Sequence, residues 1–168
     1  MIDVAIVDYD LGNQDSLFYT LKSLEFRVKI SKEVEVLSKS DILILPGVGS
    51  FPEAIKQLKN NNLSEFLIQW SSQNKPILGI CLGMQLLCSK SYEYQESNGL
   101  GIINGEIVAL NKASCHIGWN NVCQVEKYDL LYSKLDDFYF NHSFKFKGNK
   151  NLIIGNTSFN DENIPAII

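Results

Sequence analysis

The sequence predicts an α/β fold in which a mostly parallel central sheet, flanked by helices, carries a nucleophile elbow and leads into a strand-rich C-terminal half. In the first hundred residues, short apolar segments alternate with segments of helical periodicity, as in parallel sheets covered on both faces. Two glycine-rich loops directly follow apolar segments. Beyond Gly99 the apolar stretches are short and are separated by Gly, Asn and Asp turns. We expect one domain over residues 1–168.

Strands and helices alternate up to residue 89. Four buried strands are predicted, at Ile2–Val7, Val28–Ile30, Asp41–Leu45 and Ile77–Ile80. The first helix has its apolar residues at helical spacing, at Leu17, Phe18, Leu21 and Leu24. Either Asn13 or Asp15 is its predicted N-cap. Further helices are predicted within 31–39 and at Phe51–Leu58, Leu63–Trp70 and Leu82–Ser89.

The second half is predicted to be strand-rich and partly antiparallel, because polar turn residues separate its apolar stretches. These predicted strands are Gly105–Leu110, Trp119–Val125, Phe138–Phe140 and Asn151–Gly155. Residues 163–168 have the pattern of a hairpin strand. A domain rarely ends on an apolar strand, so we expect the domain to lack its C-terminal part in this sequence.

The pattern Gly-x-Cys-x-Gly around Cys81 is the thiol form of a nucleophile elbow. A buried strand ends at Ile80, and the two glycines let strand and helix pack closely around the cysteine. The start of the helix favours a thiolate there, and the Leu82 N–H points to where an oxyanion forms. The pattern alone also fits an inert core cysteine. Its place at a strand–helix junction, together with the second glycine-rich loop at Pro46–Phe51, favours the nucleophile.

Composition narrows the classes of function. The 168 residues carry 15 basic and 19 acidic side chains, a net charge of −4, and no basic cluster, which argues against nucleic acid as a partner. No apolar segment approaches the roughly 18 residues of a membrane helix, and no signal peptide is evident. The four cysteines form no Cys-x-x-Cys pair, so no metal site is expected. We therefore expect a reduced, cytoplasmic protein.

Six motifs together resemble those of the class I (triad-type) glutamine amidotransferases. They are Asp8-Tyr9 with Gly12-Asn13, Pro46–Phe51, Gly79–Leu87, Gly99–Gly101 with Gly105, His116–Asn120 and Tyr139–Phe144. Their order and spacing cover essentially the whole chain, and within the family they are most similar to the glutaminase subunits of imidazole glycerol phosphate synthases. The resemblance implies glutamine as substrate, no cofactor, and a heterodimer with a barrel-type cyclase or synthase subunit that receives ammonia for histidine biosynthesis.

The resemblance also implies roles for individual residues. Cys81 is the implied nucleophile that attacks the glutamine amide. The implied oxyanion donors are backbone N–H groups of Val48, Gly49 and Leu82, and rearrangement of the loop after Pro46 is expected to accompany activation. The implied substrate-binding residues are Gln85, Glu93, Ser143 and Phe144, with Glu93 as partner of the glutamine ammonium. The implied partner interface includes Asn13, Trp119 and Tyr139.

The sequence departs from the family at the triad, since it contains no His-x-Glu. By resemblance that motif would begin just beyond Ile168, so we expect a truncated sequence. The open alternative is a protein that ends there without two triad members. By resemblance, His116 and His142 belong to family motifs that have other roles. We therefore expect them to have structural or interface roles and not to replace the missing catalytic base. Smaller departures indicate a paralogue: Asp10 for Gly, Cys115 for Pro, Asn141 for an apolar residue and Phe144 for Tyr.

Alternatives to the histidine-pathway glutaminase stay open at this point. One is a paralogous subunit that supplies ammonia for amidino-sugar synthesis in surface polysaccharide, and another is a non-catalytic binding subunit. A cysteine peptidase or stress protein of similar sheet architecture is disfavoured, because the amino-acid pocket that the resemblance implies for Gln85, Glu93 and the His142–Phe144 stretch is one that it does not need. Cys88, on the predicted elbow helix, and Cys123 are expected to be structural.

Overall fold

The computed structural model describes residues 1–111, 115–125 and 137–168. These residues form two compact units, Met1–Ile103 and Asn104–Ile168. The change of sequence character that begins after Gly99 therefore falls near the boundary between the units. Within the described ranges, no helix has both the length and the apolar character needed to cross a membrane.

A parallel four-stranded sheet forms the centre of the first unit. Its strands are β1 (Asp3–Val7), β2 (Arg27–Ser31), β3 (Ile42–Leu45) and β4 (Ile77–Gly79). They run in the order β2-β1-β3-β4, and Val4 of β1 lies opposite Val28 on one side and Ile42 on the other. The predicted parallel sheet is confirmed, and each of its four predicted strands agrees with the structure to within one residue at either end.

Five helices are described in the first unit. They are α1 (Gln14–Ser23), α2 (Val34–Leu37), α3 (Phe51–Asn60), α4 (Leu63–Ser72) and α5 (Leu82–Leu86). The Asn13 side chain accepts a hydrogen bond from the Ser16 N–H at 3.3 Å, so Asn13 rather than Asp15 caps α1. Helix α3 turns Phe51, Ala54 and its other apolar residues inward.

The two central strands of the parallel sheet, β1 and β3, are buried on both faces, as their apolar sequences predict. On one face, Val4, Ile6 and Ile44 pack against apolar side chains of α1, including Leu17 and Leu21. The alternate residues of the same strands point to the other face and are also removed from solvent: Ala5, Val7, Leu43 and Leu45. This two-sided burial explains why β1 and β3 are nearly continuous apolar runs, whereas the edge strand β2 alternates exposed Arg27 and Lys29 with apolar residues.

The helix of the elbow is shorter than its sequence predicts. It ends at Leu86, and the chain continues as β5 (Cys88–Ser91), which pairs antiparallel with β6 (Ser97–Asn98). The Leu86 carbonyl accepts from Leu100 N–H at 2.9 Å, and the Cys88 carbonyl accepts from Gly101 N–H at 3.1 Å. The predicted helix Leu82–Ser89 is wrong beyond Leu86, because distant backbone donors take these carbonyls. Cys88 is buried, as expected, but it lies in a strand.

The second unit consists largely of antiparallel strands. They are β7 (Ile103–Ala109), β8 (His116–Asn121), β9 (Cys123–Gln124), β10 (Asp137–His142), β11 (Phe144–Gly148), β12 (Gly155–Phe159) and β13 (Glu162–Ile167). The pairs are β7 with β11, β8 with β10, and β12 with both β13 and β9. The expected strand-rich half and the terminal hairpin strand are thus confirmed.

Two predicted strands of the second half differ from the structure. Residues Lys150–Leu152 form a 3-10 helix, where Asn149 accepts from the Asn151 N–H at 2.9 Å, and β12 begins only at Gly155. The strand predicted over Asn151–Gly155 is therefore wrong, because the Asn149 side chain favours a turn. The strand predicted at Trp119–Val125 is divided between β8 and β9.

Candidate active site

Cys81 occupies a strained turn between β4 and α5. Its φ of 55° and ψ of −116° lie in a region that L-residues rarely adopt. A Cβ on Gly83 would overlap the Leu45 carbonyl oxygen, and one on Gly79 would lie 2.5 Å from the Met84 Cα. Only glycine fits at either position, so the predicted elbow geometry is present. The Cys81 side chain is exposed.

The Leu82 N–H, the predicted oxyanion donor, lies at the start of α5, directly after Cys81. Leu82 is the first helical residue, so its N–H has no acceptor within the helix. The following donors are already engaged, since Gly83 N–H donates to the Ile80 carbonyl at 3.0 Å and Gln85 N–H to the Cys81 carbonyl at 3.2 Å. The Leu82 N–H is therefore suited to a developing negative charge next to the sulfur.

The second glycine-rich loop lies against the elbow. A Cβ on Gly47 would lie 2.8 Å from the Gly83 N and 2.6 Å from the Tyr9 hydroxyl oxygen. This packing ends at the next residue: Val48 is 52% exposed, and Gly49, at φ 97°, has open space where a Cβ would stand. The loop therefore changes from buried to free between Gly47 and Val48.

Tyr9 is a buried polar residue beneath this loop whose role the sequence analysis missed. Its hydroxyl donates to the Pro46 carbonyl at 2.6 Å. Burial, and secondarily the charge of the Cys81 thiolate, raises the pKa of Tyr9 well above its usual range, so the hydroxyl keeps its proton. The signal in the sequence is a tyrosine directly after a buried strand, in the turn that precedes Gly12.

The two predicted amino-acid-binding residues of the first unit are both buried. Gln85 lies on α5 and is 9% exposed, and Glu93, which follows β5, is 8% exposed. Glu93 Oε2 accepts a hydrogen bond of 2.7 Å from the N–H of Phe51, the first residue of α3. A buried carboxylate held in this way retains acceptor positions for an ammonium group.

Ser143 and Phe144, the other predicted glutamine-binding residues, belong to the second unit. They form the junction between β10 and β11. The Ser143 carbonyl accepts from Leu110 N–H at 2.9 Å, and the Phe144 carbonyl accepts from His142 Nδ1 at 2.8 Å. The backbone of this segment is therefore fixed within its own unit.

His116 and His142 lie side by side on β8 and β10. The His116 ring stacks between Phe140 and Phe159, with ring centroids 4.5 and 4.3 Å away. Burial lowers the pKa of both imidazoles, and the neighbouring His142 lowers that of His116 further. The pair is therefore neutral at physiological pH.

The predicted partner-facing aromatics are exposed. Trp119 and Tyr139 are directly opposite each other across β8 and β10, and their rings meet edge to face at 5.6 Å. They are 73% and 57% exposed, and Ile117 on the same face is 59% exposed. Such an apolar surface is typical of a protein interface. Asn13, besides capping α1, is exposed.

Comparisons with known proteins agree over almost the whole chain. The family model described as glutamine amidotransferase class-I matches residues 5–168. The "Imidazole glycerol phosphate synthase subunit HisH" of Lactococcus lactis is 38% identical over 172 residues, covering 100% of this chain and 85% of the relative. The subunit with the same name from Aquifex aeolicus is 41% identical over 145 residues, covering 83% of this chain and 70% of the relative.

Solved structures show the same fold at low sequence identity. A structure described as "Crystal structure of glutamine amidotransferase" matches with a TM-score of 0.70 at 18% identity, covering 96% of this chain and 82% of the other. A structure described as "Structure of PurLQS from Thermotoga maritima" matches with a TM-score of 0.67 at 14% identity, covering 95% and 76%.

Proposed function

We propose, from the premise that this chain belongs to the class-I glutamine amidotransferase family, that it is the glutaminase subunit of an imidazole glycerol phosphate synthase. It hydrolyses glutamine to glutamate and ammonia, and the ammonia serves histidine biosynthesis. The observation that carries this function is the match to synthase subunits at 38% identity over the full chain. The strained, exposed Cys81 supplies the chemistry that such a subunit needs.

The reaction begins at Cys81. Its thiolate attacks the carbonyl carbon of the glutamine side-chain amide. The oxygen of the resulting tetrahedral intermediate accepts hydrogen bonds from the N–H groups of Leu82 and of the Val48–Gly49 segment. The C–N bond then breaks, ammonia leaves with an added proton, and a thioester remains. Water hydrolyses the thioester to glutamate and restores the thiol. The family's His-x-Glu has no counterpart within residues 1–168. His116 and His142 belong to other motifs, so we assign the role of proton donor to neither of them.

Recognition of glutamine rests on its amino-acid head group. Glu93 pairs with the ammonium, because a buried carboxylate is a strong partner for a cation. Gln85 contributes a buried amide from the same helix that presents the nucleophile. By resemblance, Ser143 and Phe144 are further candidates for this role, and hydrogen bonds within the second unit fix their backbone at the β10–β11 junction.

The partner is a barrel-type cyclase subunit, which forms a heterodimer with this chain. The exposed aromatic pair of Trp119 and Tyr139 supports a docking face on the β8–β10 ladder, and Asn13 is a further candidate contact. Docking turns the Val48–Gly49 peptide into its oxyanion-binding orientation. Gly49 permits this at low steric cost, since it already has a positive φ and open surroundings. We place the reaction in the cytoplasm, which four free cysteines support.

Glutamate release with and without the partner tests this function. We expect the complete protein to be nearly idle alone and to be stimulated about 10²–10³-fold by a ligand-bound cyclase subunit, the value of one well-placed oxyanion donor. Restoration of growth without histidine in a strain that lacks the corresponding subunit identifies the pathway, with Cys81→Ala as the control. A full rate in isolation, unchanged by the cyclase, would instead identify a free-standing amidase.

A further inference from the structure

The loop from Pro46 to Phe51 is held by buried hydrogen bonds at both ends. At the first end, the Tyr9 hydroxyl donates to the Pro46 carbonyl at 2.6 Å. At the second, the Phe51 N–H donates to Glu93 Oε2 at 2.7 Å. Tyr9 and Phe51 are fully buried, and Glu93 is 8% exposed, so solvent does not compete for either bond.

The middle of the loop has none of this support. Gly47 is buried against Tyr9 and the elbow helix, and a Cβ there would collide with both. Val48 and Gly49 are exposed, and Gly49 has free space around it. Close packing therefore restricts the backbone at Gly47, whereas Val48 and Gly49 have space in which a peptide can turn.

We propose that Tyr9 and Glu93 are positioning residues that clamp the two ends of this loop, so that activation turns the Val48–Gly49 peptide alone. This inference rests on the proposed glutaminase function. With the ends fixed, a turn of one peptide moves a single N–H into or out of the oxyanion position while Cys81 and α3 stay in place. With an end released, the loop samples further orientations, and the fraction with a correctly aimed N–H falls.

Glu93 has a second task under this proposal. The carboxylate that holds the Phe51 N–H also receives the glutamine ammonium, so the substrate and one end of the loop share a single side chain. Binding of glutamine therefore orders the segment that leads into α3. Through Glu93, occupancy of the head-group site thus affects the conformation of the oxyanion loop.

The Tyr9→Phe variant tests the first clamp. It leaves the ring in place and removes only the donor to the buried Pro46 carbonyl. In the complete protein bound to its cyclase partner, we expect kcat to fall roughly tenfold, less than full loss of an oxyanion donor, while the KM for glutamine stays within about twofold. Tyr19→Phe is the matched control, since Tyr19 is 71% exposed on α1. Loss of its hydroxyl group should leave kcat and KM unchanged.

Two outcomes would overturn the role of Tyr9. One is a kcat equal to that of the Tyr19→Phe control. The other is a rise in KM as large as the fall in kcat, which would place Tyr9 in substrate binding. Retained affinity for the cyclase confirms that the variant is folded. Absence of glutaminase activity in the unsubstituted complex would contradict the proposed function itself, irrespective of either variant.

Two substitutions of Glu93 separate its tasks. Glu93→Gln keeps an oxygen that can accept from the Phe51 N–H but loses the charge that pairs with ammonium, whereas Glu93→Ala loses both. We expect KM to rise in both variants, and kcat at saturating glutamine to be roughly tenfold lower in Glu93→Ala than in Glu93→Gln. Equal kcat values in the two variants would remove Glu93 from the clamp.

Discussion

His116 Nδ1 and His142 Nε2 lie 3.1 Å apart, and their hydrogen bond fixes the protonation state of both rings. His142 Nδ1 must carry a proton, because it donates to the Phe144 carbonyl. Its Nε2 is then the acceptor for His116 Nδ1–H, and His116 Nε2 accepts from the Asn120 amide at 3.2 Å. All four ring nitrogens are thus engaged with both rings neutral, which supports the expectation that neither histidine acts as the catalytic base.

This pair predicts a loss of stability in mild acid. The pKa values of both imidazoles are lowered in the folded protein and return to about 6.5 in the unfolded chain. Between the lowered values and 6.5 the unfolded state binds more protons, so stability is complete above about pH 6.5 and falls as the pH decreases. The slope is at most about 1.4 kcal/mol per pH unit for each histidine, measurable by denaturant unfolding from pH 7.5 to 5.

His116→Phe provides the control for this pH dependence. A phenyl ring fits the stack between Phe140 and Phe159 and removes one titrating group. We expect the acid-induced loss of stability to be shallower in this variant. An unchanged slope would show that other groups cause the effect. The other ionisable residues of β8, β10, β11 and β12 are Asp137, Tyr139, Lys145 and Lys147. Asp137 and Tyr139 alternate to the opposite face from His142, Lys145 pairs with Glu162 of β13, and Lys147 is exposed.

A protein limited to these 168 residues is expected to show no meaningful glutaminase activity, even with its cyclase partner. Its two histidines are engaged with each other, and these residues do not include the His-x-Glu that supplies the family's acid for the leaving ammonia, a contribution of roughly 10²–10⁴-fold. Glutamate release by this polypeptide is the measurement. Robust turnover that is lost on His142→Asn would make His142 the base and contradict the assignment.

Cys81 is expected to be the one thiol that a glutamine-analogue electrophile labels in the complete protein. Cys115 and Cys123 are exposed as well, so a generic alkylating agent should modify three cysteines. Burial raises the pKa of Cys88 to about 12, which protects it from both reagents. Peptide mass spectrometry distinguishes the two patterns. Labelling by the analogue at all exposed thiols, or its absence at Cys81, would refute the nucleophile assignment.

Gly83→Ala is expected to destabilise the elbow strongly. The new Cβ would overlap the Leu45 carbonyl oxygen, so β3 and α5 must separate, at a cost of about 3 kcal/mol in the free energy of unfolding, the upper end of the usual range for overpacking. Gly101→Ala is the control. Gly101 has a φ of 68° and open surroundings, so its substitution costs only the backbone strain of about 1–2 kcal/mol. Equal losses in denaturant unfolding would argue against the close contact.

Trp119→Ala is expected to weaken cyclase binding without loss of stability. The side chain is 73% exposed, so its removal should change the free energy of unfolding by less than about 1 kcal/mol. A central interface tryptophan contributes at least about 2 kcal/mol, which predicts a Kd raised roughly 30-fold or more. Calorimetric titration with the cyclase measures this, and Tyr19→Ala serves as an exposed aromatic control. Unchanged Kd would place the docking face elsewhere.

The fold of the first unit was predictable because its signals are local. The central strands β1 and β3 are nearly continuous apolar runs because both of their faces are buried, whereas the edge strand β2 alternates polar and apolar residues. The elbow was predictable for the same reason, since the turn at Cys81 requires glycine at positions 79 and 83, close to it in the sequence.

Where the prediction failed, distant backbone partners decided the outcome. The helix after Cys81 was expected to reach Ser89, but donors at Leu100 and Gly101 take the carbonyls of Leu86 and Cys88 and convert the segment to a strand. Local propensity carries no information about these donors. The limits of α5 therefore had to come from the tertiary structure.

The sequence by itself determined the central strands of the parallel sheet and the glycine pattern of the elbow, because both depend on residues that are adjacent or periodic along the chain. The amino-acid-binding candidates came from the resemblance of its motifs to those of the family. Only the tertiary structure decided how the site is supported. Tyr9 and Pro46 are 37 residues apart, Phe51 and Glu93 are 42 apart, and His116 and His142 are 26 apart. A hydrogen bond needs its two groups within about 3 Å of each other, and no periodicity in a sequence encodes which distant groups the folded chain brings to that distance.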